Sequence, residues 1–211
     1  VSIATVTDMV PLVGENRVLE HFGSKVLNKT RRPGLRALME AASIADGPLT
    51  TESIGFAIGP RINAAGRMEH ASLALELMLA ETLEDARVKA AALERCNRNR
   101  QDETRRMMEE AERVLLERGY TEETLSSEEG PRVLLLWHKE WSPALVGLVA
   151  GRLMERYARP VVAIGQHEGQ WIGSGRSLSI YNITDAMRAA GEGILTRSGG
   201  HIQACGFALE D

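Results

Sequence analysis

From Thr82 to Arg118 the chain contains no glycine and no proline. A stretch that long without a breaker has room for one α-helix of about 55 Å, at ~1.5 Å of rise per residue. Its ends carry apolar stripes: Leu83, Ala86, Ala90 and Leu93 at one end, Met107, Met108, Ala111, Val114 and Leu115 at the other. Its middle, "RCNRNRQDETRR", is polar nearly all round. A helix with two apolar ends and a wet middle joins two lobes. A coiled coil is the alternative, but the heptad pattern fails across the middle. Gly119 is a natural C-cap. The expected organisation is a first lobe over 1–81, a connecting helix over 82–118 and a second lobe over 119–211.

In the first lobe, "VSIATV" is β-branched and apolar and predicts a strand that ends at Asp8. "ENRVLEHFGSKVLNKT" has helical spacing interrupted by a glycine, which predicts two short helical pieces. Pro33 opens a helix over "GLRALMEAA" as a first-turn proline. A further helix is predicted over Glu52 to Ile58. Gly59-Pro60 would end it, leaving Arg61, Asn63, Gly66 and Arg67 on an irregular loop before the short apolar helix "SLALELMLA".

The second lobe begins after "TEETLSSEEG", which reads as an acidic linker loop. "RVLLLW" and "RPVVAIG" are strands, with a helix between them opened by Ser142-Pro143. "EG" turns the chain into "QWIGSGRS". Asn182 and Asp185 form a capping pair for "ITDAMRAA", and "IQACGFALE" closes as a strand. Alternating strands and helices make the class α/β.

Composition narrows the function. The charge balance is 25 basic against 29 acidic residues, a net −4, so any nucleic-acid binding must come from local clusters. No apolar run reaches the ~18 residues of a membrane span, and no signal peptide is visible. Cys96 and Cys205 form no C-x-x-C, which fits a reducing cytoplasm and argues against structural zinc. A first residue of Val rather than Met implies a fragment or a processed product.

Three stretches carry chemistry. Asp8, at a strand's carboxyl end, is placed for a ligand role in an α/β sheet or is a plain turn aspartate. In "GSGRS", Gly173 and Gly175 let backbone approach an anion, with Ser174 and Arg176 as donors; a glycine-rich hairpin with a surface arginine is the alternative. Gly199 and Gly200 before His201 permit a tight turn and close ligand approach. His201 can donate to a phosphate oxygen or move a proton, or it is a satisfied structural histidine. Cys205 has the setting of a small packing residue. Arg61 and Arg67, around "INAAG", can point to one anion or make surface salt bridges.

Taken in order, "TVTDMVPLVGENR", "RRPGLRALME", "GPRINAAGRM", "ASLALELML", "WSPALVGLVAGRLMERYARPVV", "GSGRS" and "GGHIQACGF" resemble the RecJ single-strand-specific exonucleases of the DHH phosphoesterase superfamily. The resemblance runs almost end to end. It implies the end of a DHH lobe, a long bridging helix and a smaller α/β DHH-associated lobe, with substrate in the cleft between lobes. It implies degradation of single-stranded DNA from the 5′ end, in repair and recombination, with two Mn2+ or Mg2+ ions activating water. Single-strand-binding protein or helicase partners follow from the same likeness.

By the same resemblance Asp8 matches a metal ligand of the last DHH-lobe motif. Ser174 and Arg176, with Gly199 and Gly200, match a phosphate pocket. One of Arg61 and Arg67 matches a further phosphate-contacting arginine. His201 matches the catalytic histidine that faces the scissile phosphate. The family's Asp-x-Asp and Asp-His-His motifs are expected upstream of Val1, so the chain alone is expected to bind metal poorly and to be inactive. Ser142 and Ala144 stand where the family has histidine and glycine. Two other readings are a DHH-type phosphodiesterase for short oligonucleotides or cyclic dinucleotides, and a catalytically dead scaffold or single-strand-binding module.

Overall fold

The computed structural model describes residues 1–127 and 130–209. The chain divides into two compact units, Val1–Gln101 and Asp102–Asp211. Helix α7, Leu83–Glu117, runs unbroken for 35 residues, as the absence of glycine and proline predicts. Asn97 and Thr104 in its polar middle are buried, so that stretch is not wet all round. Gly119 ends the helix at φ +82°, and Tyr120 N–H donates to the Leu115 carbonyl at 3.0 Å. Only glycine takes that left-handed conformation without strain.

The regular elements among the first unit's described residues are all helices, beginning with α1 (Ser2–Thr7), α2 (Gly14–Leu27), α3 (Pro33–Ala41), α4 (Thr51–Ser53), α5 (Gly59–Met68) and α6 (Ser72–Met78). The predicted strand "VSIATV" is α1, a helix, and Asp8 is its C-cap rather than a strand end. Tertiary packing overrides β propensity here. A Cβ on Gly23 of α2 would lie 2.4 Å from Ser2 Cβ, and one on Gly59 would lie 2.4 Å from Thr7 Cγ2. Two glycines thus open the groove that α1 fills. The same contact explains why Gly23 does not break α2, which is one helix and not two pieces.

The loop predicted around Arg61 and Arg67 is also helix. A π-helical turn, Ile54–Ile58, joins α4 to α5, and Pro60 sits in the first turn of α5. A widened turn accommodates a ring that has no N–H to donate. Ala37, Leu38 and Leu77 make this unit's core with Ala86, Ala90 and Leu93 of α7.

The second unit is α/β. Thr121 caps α8 (Glu122–Ser126) with its hydroxyl, so part of the expected acidic linker is a helical turn; Glu128 and Glu129 lie outside the described residues. One sheet follows in the order β1-β2-β3-β5-β4. Its strands are β1 (Leu134–His138), β2 (Val161–His167), β3 (Gln170–Arg176), β4 (Leu195–His201) and β5 (Ala204–Leu209). β1 and β2 are parallel and joined by α9 (Pro143–Tyr157); the other pairings are antiparallel. Glu168 (φ 50°) and Gly169 (φ 83°) make the β2–β3 turn.

α9 packs on β2 and β3 over one face of the sheet. α10 (Ile183–Ala190), capped by the Asn182 side chain, packs over the other, where Ile183 joins Val162, Ile164, Cys205 and Phe207. Ser142 takes the N-cap backbone conformation of α9, but its hydroxyl makes no capping bond. β4 is a strand that the sequence pattern does not single out. Its residues are mostly exposed, so no apolar alternation marks it.

Candidate phosphate-binding site

Two expectations about the glycine motifs change once the strands are in place. "GSGR" is not a loop after a strand but the second half of β3, paired on both sides with β2 and β5. Its backbone N–H groups therefore serve the sheet and not an anion. Gly199 and Gly200 likewise lie in β4, and the tight turn is at Ile202-Gln203.

The glycines sort by face. A Cβ on Gly173 would lie 2.1 Å from the Phe207 ring, and one on Gly175 would lie 2.7 Å from Cys205 Sγ. A Cβ on Gly200 would lie 2.2 Å from the Ala204 carbonyl oxygen. These three face α10 and are glycines because the layer there is close-packed. Cys205 occupies the packing slot expected of it; burial pushes its thiol pKa up. On the α9 face the pattern is different. Nothing lies within 4 Å of a Cβ built on Gly199 or Gly206, and the two are cross-strand partners.

Register places the candidate donors around this bare floor. Arg176 on β3, Ala204 on β5 and His201 on β4 form one cross-strand row. Ser174, Gly206 and Gly199 form the next. Paired residues of antiparallel strands share a face, so Ser174, Arg176 and His201 all lie on the α9 side. Two strand spacings put the Arg176 and His201 backbones about 10 Å apart.

Arg176 is held rather than loose. Its Nη1 donates to Ser174 Oγ at 2.7 Å and to the Gly175 carbonyl at 2.8 Å. Ser174 Oγ in turn donates to the Cys205 carbonyl at 3.1 Å. A Cβ on Gly147 of α9 would come within 2.8 Å of Arg176 Nη2, so this glycine lets the helix lie against the guanidinium. His201 is exposed, and its imidazole has no partner among the described residues. A fixed guanidinium, a hydroxyl and a free imidazole beside bare backbone suit an oxyanion with an extended chain attached. Sequence reasoning missed Gly147 and Gly206. Both lie in stretches that carry the resemblance, but only the packing of α9, for Gly147, and the strand register, for Gly206, show what each leaves open.

The other expected residues lie in the first unit. Arg61 Nε donates to Glu94 Oε2 at 2.6 Å, its Nη1 donates to the Ala57 carbonyl at 2.9 Å, and the pair is largely buried. Arg67 is exposed in the last turn of α5. Six residues apart on a helix, the two arginines project about 120° apart around the axis and do not converge. Asp8 is exposed, and its carboxylate has no partner among the described residues. No group of three or more His, Cys, Asp or Glu side chains among the described residues is arranged to hold a metal ion. The residues present therefore do not fit a two-ion centre by themselves.

Trp141 is core, at 1% exposed. Trp137 is half-exposed on β1, with the Arg118 guanidinium 4.6 Å from its ring centre. No helix among the described residues is long and apolar enough to cross a membrane.

Known proteins carry the same architecture. Residues 130–211 match the DHHA1 domain family. The whole chain is 36% identical to the single-stranded-DNA-specific exonuclease RecJ of Escherichia coli K12, over 37% of that protein. It is 32% identical to RecJ of Bacillus subtilis 168 along 99% of its own length and 26% of that protein. The chain thus spans about a third of the curated relatives it matches. Crystal structures agree: RecJ from Thermus thermophilus in complex with Mn2+ superposes with a TM-score of 0.82 at 33% identity, covering 99% of this chain and 29% of that one. An exonuclease RecJ bound to manganese gives 0.77 at 32% identity, covering 99% and 49%. Along its entire length, then, the chain is homologous in sequence and fold to part of the RecJ proteins of the DHH superfamily, and residues 130–211 of its second unit match the DHHA1 domain.

Proposed function

We propose that this chain supplies the strand-binding half of a RecJ-type 5′-to-3′ exonuclease acting on single-stranded DNA. The observation that carries the reading is the cross-strand row Arg176–Ala204–His201 beside the open Gly199–Gly206 floor. Arg176 and Ser174 grip a phosphate, preferably the 5′ terminal one. His201 donates to a neighbouring phosphate and offsets the charge that builds on it during hydrolysis. Bare backbone at Gly199 and Gly206 lets the sugar–phosphate chain lie flat.

Manganese or magnesium would supply activated water and a Lewis acid at the scissile phosphate. Asp8 is the residue of this chain assigned to that centre, and one carboxylate does not hold two ions. The isolated chain is therefore a binder and not a nuclease. Its setting is a reducing cytoplasm, where Cys96 and Cys205 stay free. Single-strand-binding protein or a helicase is the partner type the family likeness favours.

The test is affinity for a 5′-phosphorylated single strand, read by fluorescence anisotropy. Arg176→Ala weakens it about tenfold or more, because a charged phosphate contact is lost. The 5′-hydroxyl strand, which lacks that phosphate, loses little. Equal affinity of wild type and variant for the phosphorylated strand rejects the reading.

A further inference from the structure

The β4–β5 hairpin carries His201 at its tip, where it pairs with Ala204, and the tip is also braced from outside the hairpin. Three successive carbonyls there accept hydrogen bonds from outside the hairpin. Thr184 Oγ1 donates to the His201 carbonyl at 2.5 Å and leans toward the Ala204 carbonyl at 3.4 Å. Ile183 N–H donates to the Ile202 carbonyl at 3.0 Å. Ser177 N–H donates to the Gln203 carbonyl at 2.9 Å. Two of the three donors are backbone amides, one just past the end of β3 and one at the start of α10. Thr184 provides the one side-chain donor, and it bonds the residue that carries the imidazole.

Thr184 lies in the first turn of α10 and is 5% exposed. Its position also accounts for the residue before His201. A Cβ on Gly200 would lie 2.9 Å from Thr184 Oγ1. The second glycine of the motif therefore leaves room for the hydroxyl to reach past it to the His201 carbonyl. Ser177, which follows Arg176 in sequence, ties the β3 end to the same tip. The spacing between Arg176 and His201 is thus set from both sides of the hairpin.

We propose that Thr184 is a positioning residue for His201. It fixes the backbone under the imidazole so that this group stays in register with Arg176. The inference rests on the reading of His201 as a phosphate-facing group. Its mechanical half, the hold of Thr184 on His201, is testable without that reading.

The experiment uses the 211-residue chain with Thr184→Val, Thr184→Ser, Thr184→Cys and His201→Ala. Two quantities are measured below the melting point of every variant: the His201 imidazole resonances by NMR, and affinity for a 5′-phosphorylated oligodeoxynucleotide. Thr184→Val keeps the shape and removes the donor. It is expected to shift and broaden the His201 resonances and weaken binding about fivefold, the worth of one hydrogen bond. Thr184→Ser is expected to restore both. Thr184→Cys, a weaker donor, covers the case in which the valine variant does not fold, and is expected to fall between. Wild-type resonances and affinity in a folded Val or Cys variant overturn the proposal. Unchanged affinity in His201→Ala overturns the reading of the site instead, and the resonances then still judge Thr184.

Discussion

Arg176 Nη1 donates to Ser174 Oγ at 2.7 Å, two residues back on the same strand face. Ser174 passes the bond on to the Cys205 carbonyl, so the guanidinium is tied to the next strand through a hydroxyl. Gly147 lets α9 close over it. A preorganised arginine loses less freedom on meeting a phosphate than a surface one. The opposite end of the row, His201, is open to solvent.

The glycines make the first prediction, because two of them should respond with opposite sign. Gly175→Ala drives a methyl into Cys205 Sγ and Ile183 Cδ1, at 2.7 and 2.8 Å. It should destabilise the fold by about 1–3 kcal/mol. Gly206→Ala meets empty space and has no positive φ to relieve. It should stabilise the strand by ~0.5–1 kcal/mol while lowering affinity for a phosphorylated single strand. Urea midpoints with parallel binding curves check both. A Gly206→Ala chain that binds as tightly as wild type contradicts the floor.

A second prediction concerns pH. Burial raises the thiol pKa of Cys205, and burial with a hydrogen bond to Glu69 raises that of Cys96. A folded pKa above the unfolded one means the folded chain keeps protons that the unfolded chain releases. The stability this confers is complete below the unfolded thiol value of about 8.5. It is lost as pH climbs from there through the folded values. Wild type should lose more stability between neutral and alkaline pH than the Cys96→Ala/Cys205→Ala chain. Parallel losses, measured by urea unfolding, refute this.

A third prediction is that binding and cleavage separate. With Mn2+ and a 5′-phosphorylated single strand, the chain should bind the strand and leave it intact. Asp8 has no converging ligands among the described residues to share a metal with. Robust cleavage that disappears in Asp8→Ala would falsify the half-site account.

How much of this was legible in the sequence depends on which force decided each element. The absence of breakers between Thr82 and Arg118 fixed α7, and the alternating pattern fixed β1, α9 and β2. Propensity misled where packing between helices decided. "VSIATV" is helical because Gly23 and Gly59 make room for it, a contact no local window contains. Gly59-Pro60 looked like a stop, but the π turn before it absorbs the proline. The motif residues were visible while their geometry was not. Ser174, Arg176 and His201 announce themselves by type, yet only the β3–β5–β4 register shows that they share a face. Gly206 stands inside a stretch that carries the resemblance and Thr184 in none, yet the significance of each is positional and shows only in the fold.

The most direct test of the central claim is a residue-resolved titration of the chain with a deoxynucleoside 5′-monophosphate, followed by amide chemical shifts. The account predicts shifts concentrated at Ser174, Arg176, Gly199, His201 and Gly206, with Gly173, Cys205 and Phe207 on the α10 face changing far less. Saturating shifts centred on the α10 face, or none near Arg176 and His201, contradict it.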